Sequence, residues 1–453
     1  MAKSKTVFVC GDCGSEYAKW QGQCNDCNEW NTLSRLSIDA NPVRAAGFSG
    51  ELAAPKTLSE VSVDELPRIG SSMGELDRVL GGGLVPGSVV LVSGNPGAGK
   101  STLLIQVLCQ LAVDNRVLYI TGEESPSQIA MRARRLHLPL DKIKVASETN
   151  IDNILAMWGE LKPQILVIDS IQVMHCAGVD SAPGGVAQVR ESAALLIQQA
   201  KRSNTILFLV GHVTKEGNLA GPRVLEHMID TFMMLEGDAD GRYRTLRSIK
   251  NRFGAVNELG VFAMTDMGLK EVSSPSAIFL SRSEAQTPGS TVMVVWEGTR
   301  PLLVEAQALV DMSALGNPRR VAVGFETNRL AMLLAVLHRH GGLQVGDQDV
   351  FINAVGGIRV EETSSDLAVL LAVVSSFRNK PLPQDMVCFG EVGLSGEIRP
   401  VPNGQERLKE AAKHGFKIAI VPKANKPKQP IDGMRVIAVS SLGETLSSLD
   451  DLA

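Results

Sequence analysis

Gly94-Asn95-Pro96-Gly97-Ala98-Gly99-Lys100-Ser101 fills the pattern GxxxxGK[ST], and its surroundings decide the fold. The apolar run Val89-Val90-Leu91-Val92 precedes it. The helical pattern Thr102-Leu103-Leu104-Ile105-Gln106-Val107-Leu108 follows, so a strand feeds a loop that opens a helix. Glycines there let consecutive backbone N–H groups turn inward around phosphate oxygens, and the helix N-terminus adds favourable partial charge. The stretch Gly94–Thr102 is therefore expected to cradle a nucleoside triphosphate. Lys100 would reach its β- and γ-phosphates, and the Ser101 hydroxyl would ligate magnesium.

Outward from this loop, strands alternate with helices between Ile69 and Val272. The strand candidates are Val89–Ser93, Val117–Thr121, Ile165–Asp169, Ile206–Val210 and Thr231–Leu235. Between them the helical pattern recurs at Leu103–Ala112, Ser127–Leu136, Ile151–Leu161 and Val189–Arg202. Such alternation predicts an α/β domain with a mostly parallel sheet covered on both faces. Ile165-Leu166-Val167-Ile168-Asp169 is an apolar strand ending in a carboxylate, the form that holds magnesium beside a phosphate loop, so Asp169 is a second magnesium candidate. Val117–Thr121 also ends in acids, and Glu123 there is expected to orient and deprotonate the attacking water. His212, which ends Ile206–Gly211, would sit near the γ-phosphate.

At the N-terminus, Cys10-Gly11-Asp12-Cys13 and Cys24-Asn25-Asp26-Cys27 form two CxxC knuckles. Two thiolates from each complete a closed tetrahedral shell, so Cys10, Cys13, Cys24 and Cys27 predict a structural zinc rather than a catalytic one. Trp20 and Trp30 are expected to cover the metal. Cys109, Cys176 and Cys388 stand alone and read as inert small apolar residues.

With 453 residues, the chain has room for several domains. Its net charge of −4 carries no bulk basicity, so any nucleic-acid contact must come from local Lys/Arg patches. No apolar run approaches a membrane span and no signal-peptide core precedes Cys10. Patterned cysteines with these features predict a cytoplasmic protein in a reducing compartment.

Met73–Thr102 resembles the opening of a RecA-family ATPase, and Gly122-Glu123-Glu124-Ser125 resembles that family's catalytic-glutamate segment, with Glu123 at the catalytic position. His212 falls at the family's γ-phosphate sensor. The resemblance implies that two loops, at 175–191 and 214–228, face a channel and bind DNA; Arg190, Lys215 and Arg223 are the cations within them and so the candidates for phosphate contacts. Further on, Lys250-Asn251-Arg252-Phe253-Gly254 matches the KNRFG signature of the bacterial RadA (Sms) family, and the order of parts agrees along the whole chain. That resemblance implies that Lys250 and Arg252 reach into a neighbouring subunit's nucleotide site. It implies a hexameric ring acting with ATP, magnesium and zinc on single-stranded and branched DNA, alongside the RecA recombinase and away from membranes.

Gly390–Val401 and Ala411–Pro422 resemble a Lon-type protease domain. Motif matching places Ser364 on the nucleophile and Gln405 on the lysine base. Glutamine cannot take the serine proton, and Lys409 would have to replace it. The expectation is a scaffold without peptidase activity, with Arg319, Arg320 and Lys409 as candidate DNA-contacting cations. The predicted organisation is a zinc ribbon at 1–33, a linker at 34–67, a RecA-like P-loop ATPase core with KNRFG at 68–273, and a Lon-protease-like α/β domain at 274–453.

Overall fold

Three short strands form the N-terminal ribbon: β1 (Lys5–Cys10), β2 (Glu16–Tyr17) and β3 (Leu33–Ile38), with β1 antiparallel to both others. Because β3 pairs with β1 along its whole length, the ribbon continues through Ile38, past the expected limit at 33. Its core is Cys10, Cys24 and Leu33, with Phe8, Tyr17 and Cys27 against them. Trp20 and Trp30 are not part of that core. They flank Gly22 on the outside, 56% and 66% exposed, so the expectation that they cover the metal is corrected. This computed structural model describes residues 5–10, 15–38, 67–179, 181–212, 224–237, 242–272, 274–280, 287–313 and 316–452.

The chain divides into two compact units, Met1–Val272 and Ser273–Ala453. In the first, α1 (Gly74–Leu80) leads into β4 (Val89–Gly94) and α2 (Lys100–Leu111). There follow β5 (Val117–Thr121), α3 (Pro126–Arg135), β6 (Lys144–Ser147), α4 (Ile151–Leu161) and β7 (Ile165–Asp169). Next come α5 (Val186–Ser203), β8 (Ile206–Val210), α6 (Val224–Met228) and β9 (Thr231–Gly237). The strands β10 (Tyr243–Asn251), β11 (Leu259–Thr265) and β12 (Gly268–Glu271) close the sheet.

The nine-stranded order is β12-β11-β10-β9-β4-β8-β7-β5-β6. From β9 to β6 the strands are parallel, and β10–β12 add an antiparallel meander at the β9 edge. Alternation along β4 explains the two covered faces: Val90 and Val92 enter one core with α2, while Val89 and Leu91 enter another with α4 and α5. Caps define the helix starts. Ser125 and Gln128 make a reciprocal capping box on α3, and the Asn150 side chain accepts from the Asp152 and Asn153 N–H groups on α4. In such a sheet, ligands bind beyond the carboxyl ends of the strands, where β4 delivers the Gly94–Ser101 loop.

The second unit is built on the sheet β15-β16-β14-β13-β17-β20-β21. The strands are β13 (Ser290–Glu297), β14 (Arg300–Met312), β15 (Arg320–Val323), β16 (Gln348–Ala354), β17 (Met386–Cys388), β20 (Ile418–Pro422) and β21 (Arg435–Val439). A small separate pair comprises β18 (Glu391–Val392) and β19 (Ile398–Arg399). Its helices are α7 (Thr327–Gly341), α8 (Asp366–Arg378), α9 (Gly404–Lys413) and α10 (Leu442–Asp450). Helix α8 is buried from Asp366 through Ser375, as its near-continuous apolar sequence requires.

Candidate active site

The phosphate loop owes its shape to two constraints. A side chain at Gly94 would place its Cβ 2.1 Å from the Leu235 carbonyl oxygen of β9, so only glycine lets β4 and β9 lie this close. Gly97 and Gly99 have φ of 79° and 104°, the left-handed region that turns the backbone around a ligand. No side chain caps α2, whose first N–H groups face the loop. Lys100 is buried, and its Nζ donates to the Gly94 and Asn95 carbonyls at 2.8 and 3.1 Å. Burial lowers its pKa, while Asp169 and Glu123 oppose that shift. Asn95, Pro96 and Gly97 are exposed, Ala98 is buried, and Ser101 and Thr102 are half-buried at the start of α2. Arg244, unnoticed in the sequence, is buried on β10 and donates from Nε to the Ala98 carbonyl at 2.9 Å, bracing the loop from beneath.

Ser101 and Asp169 meet as expected: the Ser101 hydroxyl donates to Asp169 Oδ2 at 2.8 Å. The buried Tyr119 phenol donates to the same oxygen. Burial raises the pKa of Asp169, and these two hydrogen bonds pull against it. Burial, followed by the charge of Asp169, drives the Tyr119 phenol well above its ordinary value. A hydroxyl and a carboxylate are hard oxygen donors of the kind magnesium takes in phosphate sites, so the residues fit that ion.

The two acids after β5 have separate environments. Glu124 is held by Arg132, with the guanidinium 2.7 Å from Oε2. Glu123 faces the nucleotide side: the Ser170 hydroxyl donates to its Oε1, and His212 Nε2 lies 3.2 Å from that oxygen. The residues singled out at the ends of β5, β7 and β8 are therefore side by side.

Lys250, Asn251 and Arg252 lie elsewhere. Asn251 pairs with Thr231 at the start of β9, whereas the phosphate loop leaves β4 opposite Leu235, near the other end of β9. Lys250 Nζ donates to the Glu226 carbonyl, and its pKa is lowered by burial and then by Arg252. Arg252 is 3.1 Å from Asp230, whose carboxylate also binds Lys201. Gly254 touches Gly81 so closely that a Cβ would stand 2.7 Å from the Gly81 Cα, which explains the glycine ending this motif.

Of the loop cations, Arg190 sits in helix α5 rather than in a loop, because α5 begins at Val186. Buried Gln188 accepts from the Cys176 N–H and donates to the Val179 and Ser181 carbonyls, so much of the first loop is laced to that helix. Lys215 and Arg223 lie outside the described residues.

In the ribbon, Cys10, Cys24 and Cys27 bring their sulfurs within 4.8 Å of one another, and the Cys10–Cys27 distance is 3.6 Å. Tetrahedral zinc with Zn–S bonds of about 2.3 Å needs sulfurs about 3.8 Å apart, so these residues fit that ion. Thr32 Oγ1 and the Tyr17 phenol lie 3.1 and 3.2 Å from Cys10 and Cys24. Cys13 lies outside the described residues.

In the second unit, neither position matched to the protease base faces Ser364. Gln405 and Lys409 both point to solvent from α9; the residue facing Ser364 is Arg407, fully buried, with Nη1 3.3 Å from the Ser364 hydroxyl. Helical phase is the reason: the inward stripe of α9 is Gly404, Arg407, Leu408 and Ala411. Arg407 also pairs with Glu362, donates to the Val294 carbonyl, and lies over the Trp296 and Phe389 rings at 5.8 Å. A guanidinium stays protonated and cannot act as the base. The other proposed cations are engaged too. Arg319 pairs with Asp349 at 2.8 Å, and Arg320 donates to the Val345 carbonyl at 3.1 Å.

A phosphate cradle, a magnesium-type oxygen pair and an acid at the adjacent strand tip are the parts of a nucleoside-triphosphate site. The fold and site thus define a P-loop ATPase with a RecA-like core. Residues 69–157 match the family model of KaiC, 309–425 that of subunit ChlI of Mg-chelatase, and 8–35 that of the rubredoxin metal binding domain. Over their full lengths, the chain is 63% identical to DNA repair protein RadA of Haemophilus influenzae and 62% identical to that of Escherichia coli. Against the Bacillus subtilis protein of the same name, identity is 46%, over 98% of this chain and 99% of the relative. The chain belongs to this RadA family. It hydrolyses ATP with magnesium and carries a zinc ribbon.

Proposed function

We propose that this protein is a DNA-dependent ATPase of homologous recombination and double-strand-break repair. It forms a hexameric ring that moves along single strands and branch-migrates recombination intermediates alongside RecA, in the cytoplasm. The observation that carries this reading is the position of Lys250 and Arg252, at the end of the sheet remote from their own phosphate loop. Cations that far from their own phosphate loop can stabilise a γ-phosphate only if another subunit supplies it, and such an arrangement ties hydrolysis to assembly. Within a subunit, Lys100 binds the phosphates, Ser101 and Asp169 hold magnesium, Glu123 takes the proton of water and His212 senses the γ-phosphate. The relatives' name, DNA repair protein, supports the assignment to repair.

The second unit serves as a scaffold without peptidase activity, since Arg407 occupies the place a base would need. Unwinding of forked DNA and migration of a branched junction test the motor reading, with Lys100→Ala as the control that loses both. DNA-stimulated hydrolysis without strand movement would instead assign an ATP-switched accessory factor.

A further inference from the structure

We infer that Tyr119 is a positioning residue for magnesium, whose phenol holds the Asp169 carboxylate in the orientation that serves the ion. The inference rests on the reading of Ser101 and Asp169 as the magnesium pair. Tyr119 lies in the middle of β5, and the parallel register sets it opposite Val167 of β7, with Thr121 opposite Asp169. Side chains two positions apart along a strand share a face, so Tyr119 and Asp169 are diagonal neighbours on the α2 side of the sheet. That separation is within reach of a long aromatic side chain. The Tyr119 ring is buried in the core that α2 and α3 cover, so the hydroxyl at its end is a fixed donor.

That donor meets a carboxylate that is itself buried. Asp169 Oδ2 accepts from both Tyr119 and Ser101, the latter at 2.8 Å. Two donated hydrogen bonds use both lone pairs of that oxygen, which leaves Oδ1 to serve an ion. The two donors differ in kind. Ser101 stands in the first turn of α2, and its oxygen is itself a magnesium ligand in this reading. Tyr119 belongs to the core, and its hold on Asp169 is the same with or without the ion. A carboxylate tied to Ser101 alone can turn about its Cβ–Cγ bond. The phenol removes that freedom beforehand, so less ordering remains to be done when the ion binds. Hydrogen bonds to an ionised group are the stronger kind, which suits the phenol to this task.

The test measures binding of a fluorescent ADP to the full-length chain, once with magnesium and once with EDTA. The ratio of the two affinities is the coupling between ion and nucleotide. Tyr119→Phe, which keeps the ring and removes only the hydroxyl, is expected to lower that ratio about tenfold, equivalent to about 1.4 kcal/mol. Affinity in EDTA is expected to stay as in the unmodified protein. Asp169→Asn is expected to lower the ratio too, and Tyr119→Phe added to Asp169→Asn to change nothing more. If Tyr119→Phe fails to fold, Tyr119→Met, a flexible apolar filler without a donor, carries the comparison. An unchanged or raised ratio, an equal loss with and without magnesium, or a further fall in the double variant overturns the positioning role. An unchanged ratio in Asp169→Asn refutes instead the assignment of Asp169 to magnesium.

Discussion

Mixing two inactive variants tests whether Lys250 and Arg252 act on a neighbour. The register puts Gly94 opposite Leu235, while the Arg252 N–H donates to the Asp230 carbonyl at 3.1 Å. Five residues of β9 separate those levels, about 16 Å at about 3.3 Å per residue, and the strand order adds a lateral offset because β9 lies between β4 and β10. Through water at physiological salt, a unit charge that far away contributes less than about 0.1 kcal/mol, because the Debye length is about 8 Å. A purely intrasubunit role thus predicts a rate change below about 1.2-fold for Arg252→Ala. A cation placed on the phosphates by a neighbour is worth about 10³-fold or more. The substitution costs the fold little: Arg252 is 57% exposed, and Asp230 keeps Lys201 and the Val89 N–H.

The assay is steady-state ATP hydrolysis by Lys100→Ala and Lys250→Ala proteins, separately and after co-assembly at equal concentrations. Each alone is expected to be inactive. In the mixture about a quarter of interfaces join an intact phosphate loop to an intact Lys250, so about a quarter of full activity should return. Near-normal activity of Lys250→Ala alone, or no recovery in verified mixed assemblies, would refute the argument.

Other consequences follow from single contacts. Gly94→Ala forces a Cβ to within 2.1 Å of the Leu235 carbonyl, so nucleotide binding should be lost with cooperative unfolding of the first unit, read by circular dichroism. Arg407→Ala strands Glu362 and removes a fully buried guanidinium, so urea unfolding of the second unit should shift by about 3 kcal/mol. Ser364→Ala should leave a labelled-casein assay at the background of the unmodified protein; hydrolysis abolished by that change would contradict the scaffold role. Chelation of zinc should unfold the ribbon, whose core is three cysteines, Leu33, Phe8 and Tyr17. It should change Trp20 and Trp30 fluorescence while nucleotide affinity of the ATPase core persists; an unchanged spectrum after verified metal loss would count against a structural zinc.

Much of the ATPase core was legible because its signals are local. Val117–Thr121, Ile165–Asp169 and Ile206–Val210 form strands with the expected bounds, each being a short buried apolar run. The meander β10–β12 was missed, since its strands are mixed in burial and carry charges such as Arg244 and Arg247. That Arg407, and neither Gln405 nor Lys409, faces Ser364 was not legible for a related reason. Motif matching aligns positions along a chain, but helical phase decides which side chain turns inward, and a buried arginine resembles a surface one until its partners are known.

By itself the sequence determined the chemistry of the phosphate loop, the metal class of the ribbon and the alternating architecture. These depend on residue types at short, fixed spacings, which backbone geometry converts directly into shape. The tertiary structure alone decided that Tyr119 and Ser170 support Asp169 and Glu123, that Arg244 braces the loop from 146 residues away, and that Arg407 faces Ser364. It also placed Lys250 and Arg252 at the far end of the sheet from Gly94. Those relations join residues remote along the chain, and only strand order, register and helical phase bring them together or hold them apart.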